Sequence, residues 1–91
     1  MKINEVIFTD NLPKLDLHGF DRDTARVAIN DFIDDNVKMG NEIVSIIHGI
    51  GTGIIRDMTV QTLKKNKFVE EFKNDYFKRG CMIVKIKGEF L

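Results

Sequence analysis

The sequence predicts a single α/β domain, a two-layer sandwich in the order βαβαββ, with a mixed four-stranded sheet and two helices on one face. Three observations predict it. A short alternating segment, Leu15-Asp16-Leu17-His18-Gly19, precedes a stretch from Arg22 to Met39 with apolar residues at three- and four-residue spacing. A β-branched run, Ile43-Val44-Ser45-Ile46-Ile47, follows. A strand, a helix and a strand in that order make parallel strands joined by a right-handed crossover. Beyond a glycine-rich turn come a shorter helix and two strand-like runs close enough to pair as a hairpin.

Residues 1–13 hold only the apolar group Val6-Ile7-Phe8 before Asp10-Asn11-Leu12-Pro13, and read as an arm that packs on the domain or on a partner. The domain proper is residues 14–91. In the first strand, alternation sends Leu15 and Leu17 to the core and Asp16 with His18 to the other face, and Gly19 ends it. Asp21 is the N-cap of the first helix and Asp23 complements its dipole. Its apolar stripe is Ala25, Ala28, Ile29, Phe32, Ile33 and Val37, and Gly40 stops it. The run from Ile43 to Ile47 lacks alternation, as in a strand covered on both faces. Ile54, Ile55, Met58, Thr62 and Leu63 mark the second helix, which reaches Lys65 and is broken by Asn66 and Lys67. Phe68 to Phe72 is a half-exposed strand, Asp75 to Gly80 a turn, and Met82 to Lys87 the last strand.

The 91 residues are 43% hydrophobic and 31% charged, the profile of a soluble globular domain. No apolar run approaches the ~20 residues of a membrane span, and the first residues lack a signal-peptide core, so no membrane partner and a cytoplasmic location are expected. The single cysteine, Cys81, sits in a strand-like run and reads as a packed thiol. Net charge is zero, but residues 1–45 carry five Lys/Arg against nine Asp/Glu and residues 46–91 carry nine against five. That split permits a basic surface in the second half.

The chemistry gathers at Ile46-Ile47-His48-Gly49-Ile50-Gly51-Thr52-Gly53-Ile54-Ile55-Arg56. Glycines at these spacings let a ligand approach the main chain, and the helix start that follows offers N–H groups to an anion. Parallel strands put His18 and His48 at the same edge of the sheet, where open α/β sheets place ligands. A dinucleotide fingerprint needs glycine where Ile54 stands, and a phosphate-binding ATPase loop needs Gly-Lys-Ser/Thr where Gly53-Ile54-Ile55 stands. Both are excluded. Asp16, His18 and His48 suit either a divalent metal or metal-free acid–base chemistry on a phosphodiester, with the imidazoles moving protons and the turn holding phosphate.

Leu15-Asp16-Leu17-His18-Gly19, followed by a helix and then by His48-Gly49-Ile50-Gly51-Thr52-Gly53, resembles the two motifs of the Smr (small MutS-related) domain family. The resemblance spans about Lys14 to Ile86. It implies a fold similar to the C-terminal domain of bacterial translation initiation factor three, binding of DNA or RNA, and endonuclease activity in some members. Family members are tied to DNA recombination and repair or to cleavage of mRNA on stalled ribosomes. In the family the turn residue matching Ile50 is usually Lys or Arg.

The functional expectation is therefore a nucleic-acid-binding domain and endonuclease acting on RNA or structured DNA. Asp16 stabilises His18, His18 and His48 act as acid and base, and Gly49, Gly51, Thr52 and Gly53 hold phosphate. Arg56, Lys85 and Lys87 are further phosphate contacts. No cofactor is required in this scheme, and a divalent metal is its alternative. A second expectation is a non-catalytic module that binds a ribosome, a protein or itself, for which an apolar Ile50 at the loop tip is better suited.

Overall fold

The computed structural model describes Ile3 and residues 11–87. The elements are β1 (Lys14–Asp16), α1 (Arg22–Met39), β2 (Ile43–Ile47), α2 (Ile54–Lys65), β3 (Val69–Asn74) and β4 (Cys81–Ile86). The sheet order is β1-β2-β4-β3, with β1 parallel to β2 and the other pairs antiparallel. This is the expected mixed sheet.

The first helix forms where the sequence places it. The Asp21 carboxylate accepts the Thr24 N–H at 2.8 Å, satisfying one orphan donor of the first turn. Ala25, Ile29 and Ile33 recur every four residues and are completely buried. Gly40 closes the helix in the left-handed conformation, donating to the Val37 carbonyl at 3.1 Å. These residues, with Leu63 of α2, cover Leu17, Val44, Ile46, Met82, Val84 and Ile86 on one face of the sheet. Each large aliphatic side chain so buried stabilises the fold by about 1.5–3 kcal/mol of transfer free energy. On the opposite face, Ile3 packs with Ile43 and Ile83, beside Leu12. Residues 1, 2 and 4–10 of the expected arm, and residues 88–91, lie outside the described residues.

The boundaries of β1, β3 and β4 differ from the sequence reading by one or two residues. β1 stops at Asp16 and does not continue to Gly19, because the Asp16 carboxylate takes the His18 N–H at 2.9 Å and bends the chain toward α1. The hairpin runs two residues further than expected on β3, to Asn74, and β4 begins one residue earlier, at Cys81. An irregularity between Val69 and Glu71 shifts the β3–β4 register.

Candidate functional site

The register of β1 on β2 sets the geometry. Asp16 lies opposite Ile47, and the Leu17 N–H donates to the Ile47 carbonyl at 2.9 Å. His18 and His48 therefore leave neighbouring strands about 4.8 Å apart, at one edge of the sheet. Their surroundings differ. His18 is exposed, and the Asp16 oxygen nearest it is held by its main chain and not by its imidazole.

His48 is half-buried. Its backbone N–H and that of Gly49 both donate to the Gly80 carbonyl, at 2.8 and 3.0 Å. Ring Nδ1 lies 2.8 Å from the Gly49 carbonyl, so it carries the proton and Nε2 carries the lone pair. Nε2 is sealed from solvent and has no hydrogen-bond partner among the described residues. Burial lowers the His48 pKa below its ordinary 6.5. The Gly49 carbonyl opposes that shift and the Arg56 charge adds to it.

The turn after His48 and the β3–β4 loop face each other across a cleft of about 350 Å³. Gly49, Gly51, Gly53 and Arg56 line it from the turn, and Asn74, Asp75, Lys78, Arg79 and Gly80 from the hairpin. Gly80 joins the two walls at a left-handed φ of +79°, and a Cβ there would meet the Gly49 backbone at 3.0–3.2 Å. Only glycine allows this approach. Among the described residues, three cationic ones, Arg56, Lys78 and Arg79, line the cleft with one carboxylate, Asp75, and Arg56 also lies 3.5 Å from the Asp57 carboxylate. At the start of α2, Gly53 has no side chain to cap the helix, and the Thr52 hydroxyl reaches the Ile54 N–H only at 3.5 Å. Cys81 lines the same cleft half-buried, and burial pushes its thiol pKa up, which keeps it protonated and unreactive.

Of the residues expected from sequence, His48, Gly49, Gly51, Gly53 and Arg56 line the cleft together. Thr52 is exposed on the same turn, and Asp16 with His18 stand at the adjoining strand end, outside the cleft lining. Lys85 and Lys87 are a correction. Lys85 pairs with Ile43 at the start of β2, about 13 Å along β4 from Cys81. Its Nζ is 3.2 Å from Glu70, and the Lys87 N–H donates to Phe68 at that same far end. Lys64 and Lys65 sit in the last turn of α2. The basic half of the sequence is thus spread over both ends of the domain, and a count of charge by halves does not show which end each lysine reaches. Among the described residues, no three His, Cys, Asp or Glu side chains are gathered closely enough to hold a metal ion.

The sequence reading missed the hairpin wall. It gives residues 75–80 no site role, although Tyr76-Phe77-Lys78-Arg79 places two aromatics beside two cations where small polar residues usually stand. That composition was the available signal.

Comparison with known proteins bears on the same residues. The family described as the Smr domain matches residues 15–87. A protein named endonuclease MutS2 from Alkaliphilus metalliredigens is 35% identical over 77 residues, covering 85% of this chain and 10% of that protein. Endonuclease MutS2 from Streptococcus mutans is 44% identical over 59 residues, covering 65% of this chain and 8% of that protein. The chain thus spans about a tenth of these curated relatives. The crystal structure of the Smr domain of Thermus thermophilus MutS2 superposes with a TM-score of 0.82 at 22% identity, covering 85% of this chain and 100% of that one. YdaL, a stand-alone small MutS-related protein from Escherichia coli, superposes with a TM-score of 0.74 at 22% identity, covering 80% of this chain and 63% of that one. These two share the fold.

Proposed function

The chain belongs to the Smr domain family, and we propose that its cleft binds nucleic-acid phosphate while Asp16, His18 and His48 cut a phosphodiester bond in RNA or structured DNA. One observation carries the reading. The cleft sets three cations and the uncapped start of α2 beside the two neighbouring strand ends that bear the histidines. A helix start and cationic side chains together favour a bound anion. The relatives' name, endonuclease, agrees with that chemistry. In this scheme the amides of Gly49, Gly51 and Gly53, the Thr52 hydroxyl and Arg56 hold the phosphate.

His48 is neutral at neutral pH with its lone pair on Nε2, the form a general base needs. With RNA, it takes the proton of the 2′-hydroxyl as that oxygen attacks phosphorus. His18 gives a proton to the departing 5′-oxygen, so a cyclic phosphate and a free hydroxyl result. Asp16 stabilises the positive charge on His18 through its field. Because Nε2 is covered, the atoms over it must move for substrate to reach it, as catalytic contacts often tighten only in the complex. A cytoplasmic location fits this role, and no helix among the described residues is long and apolar enough to cross a membrane.

The test is incubation of the full chain with labelled single-stranded, duplex and structured RNA and DNA, with and without EDTA. The expected result is binding that weakens with salt at a slope of about −2 to −3 in log K against log salt, from three cationic contacts. RNA cleavage should leave a cyclic phosphate and survive EDTA. Cleavage that requires Mn²⁺ and cuts DNA equally would replace the acid–base scheme. Salt-independent binding, or none, would overturn the phosphate cleft. A second reading, a module that docks on a ribosome, a protein or a second copy, is favoured by Ile50, an apolar loop tip 69% exposed.

A further inference from the structure

Tyr76 and Phe77 stand on the hairpin loop between Asp75 and Lys78, two residues that line the cleft. They are among the most exposed large apolar side chains described, at 87% and 66%. Their exposure is built in. The buried Asp75 carboxylate accepts the Phe77 N–H at 2.9 Å, and the Asp75 N–H donates to Cys81 at 2.9 Å. Gly80 ties the loop's other end to His48 and Gly49. The two rings meet edge to face, with centroids 5.1 Å apart and planes at 89°, a favourable aromatic geometry that braces Tyr76 against Phe77. A braced ring loses little freedom when something stacks on it.

From this we infer that Tyr76 is a stacking platform for an unpaired nucleobase, so that the cleft takes single-stranded segments of RNA or DNA in preference to duplex. The inference rests on the phosphate-binding reading and names the substrate form for it. Charge complementarity selects the occupant. Among the described residues, three cations and one carboxylate line the cleft next to the rings, and with Asp57 3.5 Å from Arg56 the cations remain in excess, which suits a polyanion that also offers flat faces. A duplex buries its base faces in its own stack, and an unpaired strand leaves them available.

The chain has one tyrosine and no tryptophan, so its ultraviolet emission reports Tyr76 alone. We would titrate the full chain with single-stranded oligoribonucleotides and oligodeoxyribonucleotides and with their duplexes, correcting for absorbance with a free-tyrosine control. Affinity would be followed in parallel by anisotropy of labelled strands. Single strands should quench the emission at saturation and duplexes should not. Tyr76→Ala should weaken single-strand binding by about tenfold, the scale of one base–aromatic stack, and leave duplex binding unchanged. Tyr76→Phe should bind as the parent does. Comparable quenching by RNA and DNA strands would assign recognition to the base, and quenching by one alone would add its sugar to the site. Single-strand binding with unchanged emission and an indifferent Tyr76→Ala variant would overturn the platform, leave the phosphate cleft standing and turn the ring pair toward a protein partner. Failure to bind any strand would overturn the phosphate cleft itself.

Discussion

Two strand-to-helix junctions lie side by side in this domain, Leu17 to Asp21 between β1 and α1 and His48 to Gly53 between β2 and α2, and each carries a His-Gly pair. The first closes on itself. Asp16 accepts from the His18 main chain and Asp21 caps α1, so local side chains take up the donors of the turn and of the helix start. The second is tied outward. His48 and Gly49 donate to Gly80 across the sheet, and Gly53 leaves the start of α2 without a side-chain cap. A helix start already held by its own carboxylate is a poor anion site, and one capped by glycine keeps its amides for a ligand. Under the proposed function, phosphate holding therefore belongs to the second junction, and the first presents His18.

The largest effect that could break this division is on rate. His18→Ala and His48→Ala should each slow RNA cleavage by ~10²–10⁴, the usual worth of a positioned proton-transfer group. Single-turnover assays on one labelled RNA would check it. A loss for His18→Ala with near-parent activity for His48→Ala would make His48 only a strut of the second junction.

A smaller effect separates the junctions by stability. Gly19 and Gly80 both have left-handed φ, +80° and +79°, but a Cβ on Gly19 meets nothing within 4 Å while one on Gly80 runs into the Gly49 backbone. Gly19→Ala should cost about 1–2 kcal/mol for the backbone conformation alone. Gly80→Ala adds overpacking of about 1–3 kcal/mol and should part the cleft walls. Urea unfolding of the two variants, followed by circular dichroism, would show equal losses if the Gly49–Gly80 approach does not hold the junction together.

The contrast also separates what was legible in the sequence from what was not. Both helices were legible to their ends, because Asp21, Gly40 and the glycines before Ile54 are local signals next to strong periodicity. The shared edge for His18 and His48 followed from βαβ topology. The hidden parts depend on non-local pairing. No local pattern says that Gly80 will sit on Gly49 and bring Lys78 and Arg79 to the turn, or that the register of β4 on β2 carries Lys85 to the far end of the sheet. The end of β1 is hidden for a different reason: the His18 N–H faces the open edge of the sheet, away from β2, and the Asp16 side chain takes it there in a local turn that alternation does not show.

The smallest effect is the pH dependence of the second junction. Burial, aided by the Arg56 charge, holds the folded-state pKa of His48 below its ordinary 6.5, and protonation would put a second ring N–H at a covered Nε2 that has no acceptor among the described residues. The unfolded chain has no such penalty. Above about pH 6.5 the imidazole is neutral in both states and takes nothing from stability. As pH falls below that value the unfolded state binds the proton first, so this group's contribution declines until pH passes the folded-state pKa, and it is constant below that. His48→Gln should therefore flatten part of the acid limb of stability just below pH 6.5, and the His48 ring should titrate below 6.5 by NMR. An unchanged acid limb together with a ring that titrates at or above 6.5 would mean that His48 charges without penalty. It would then be as open to solvent as His18, and the contrast between the two junctions would fail at its most local point.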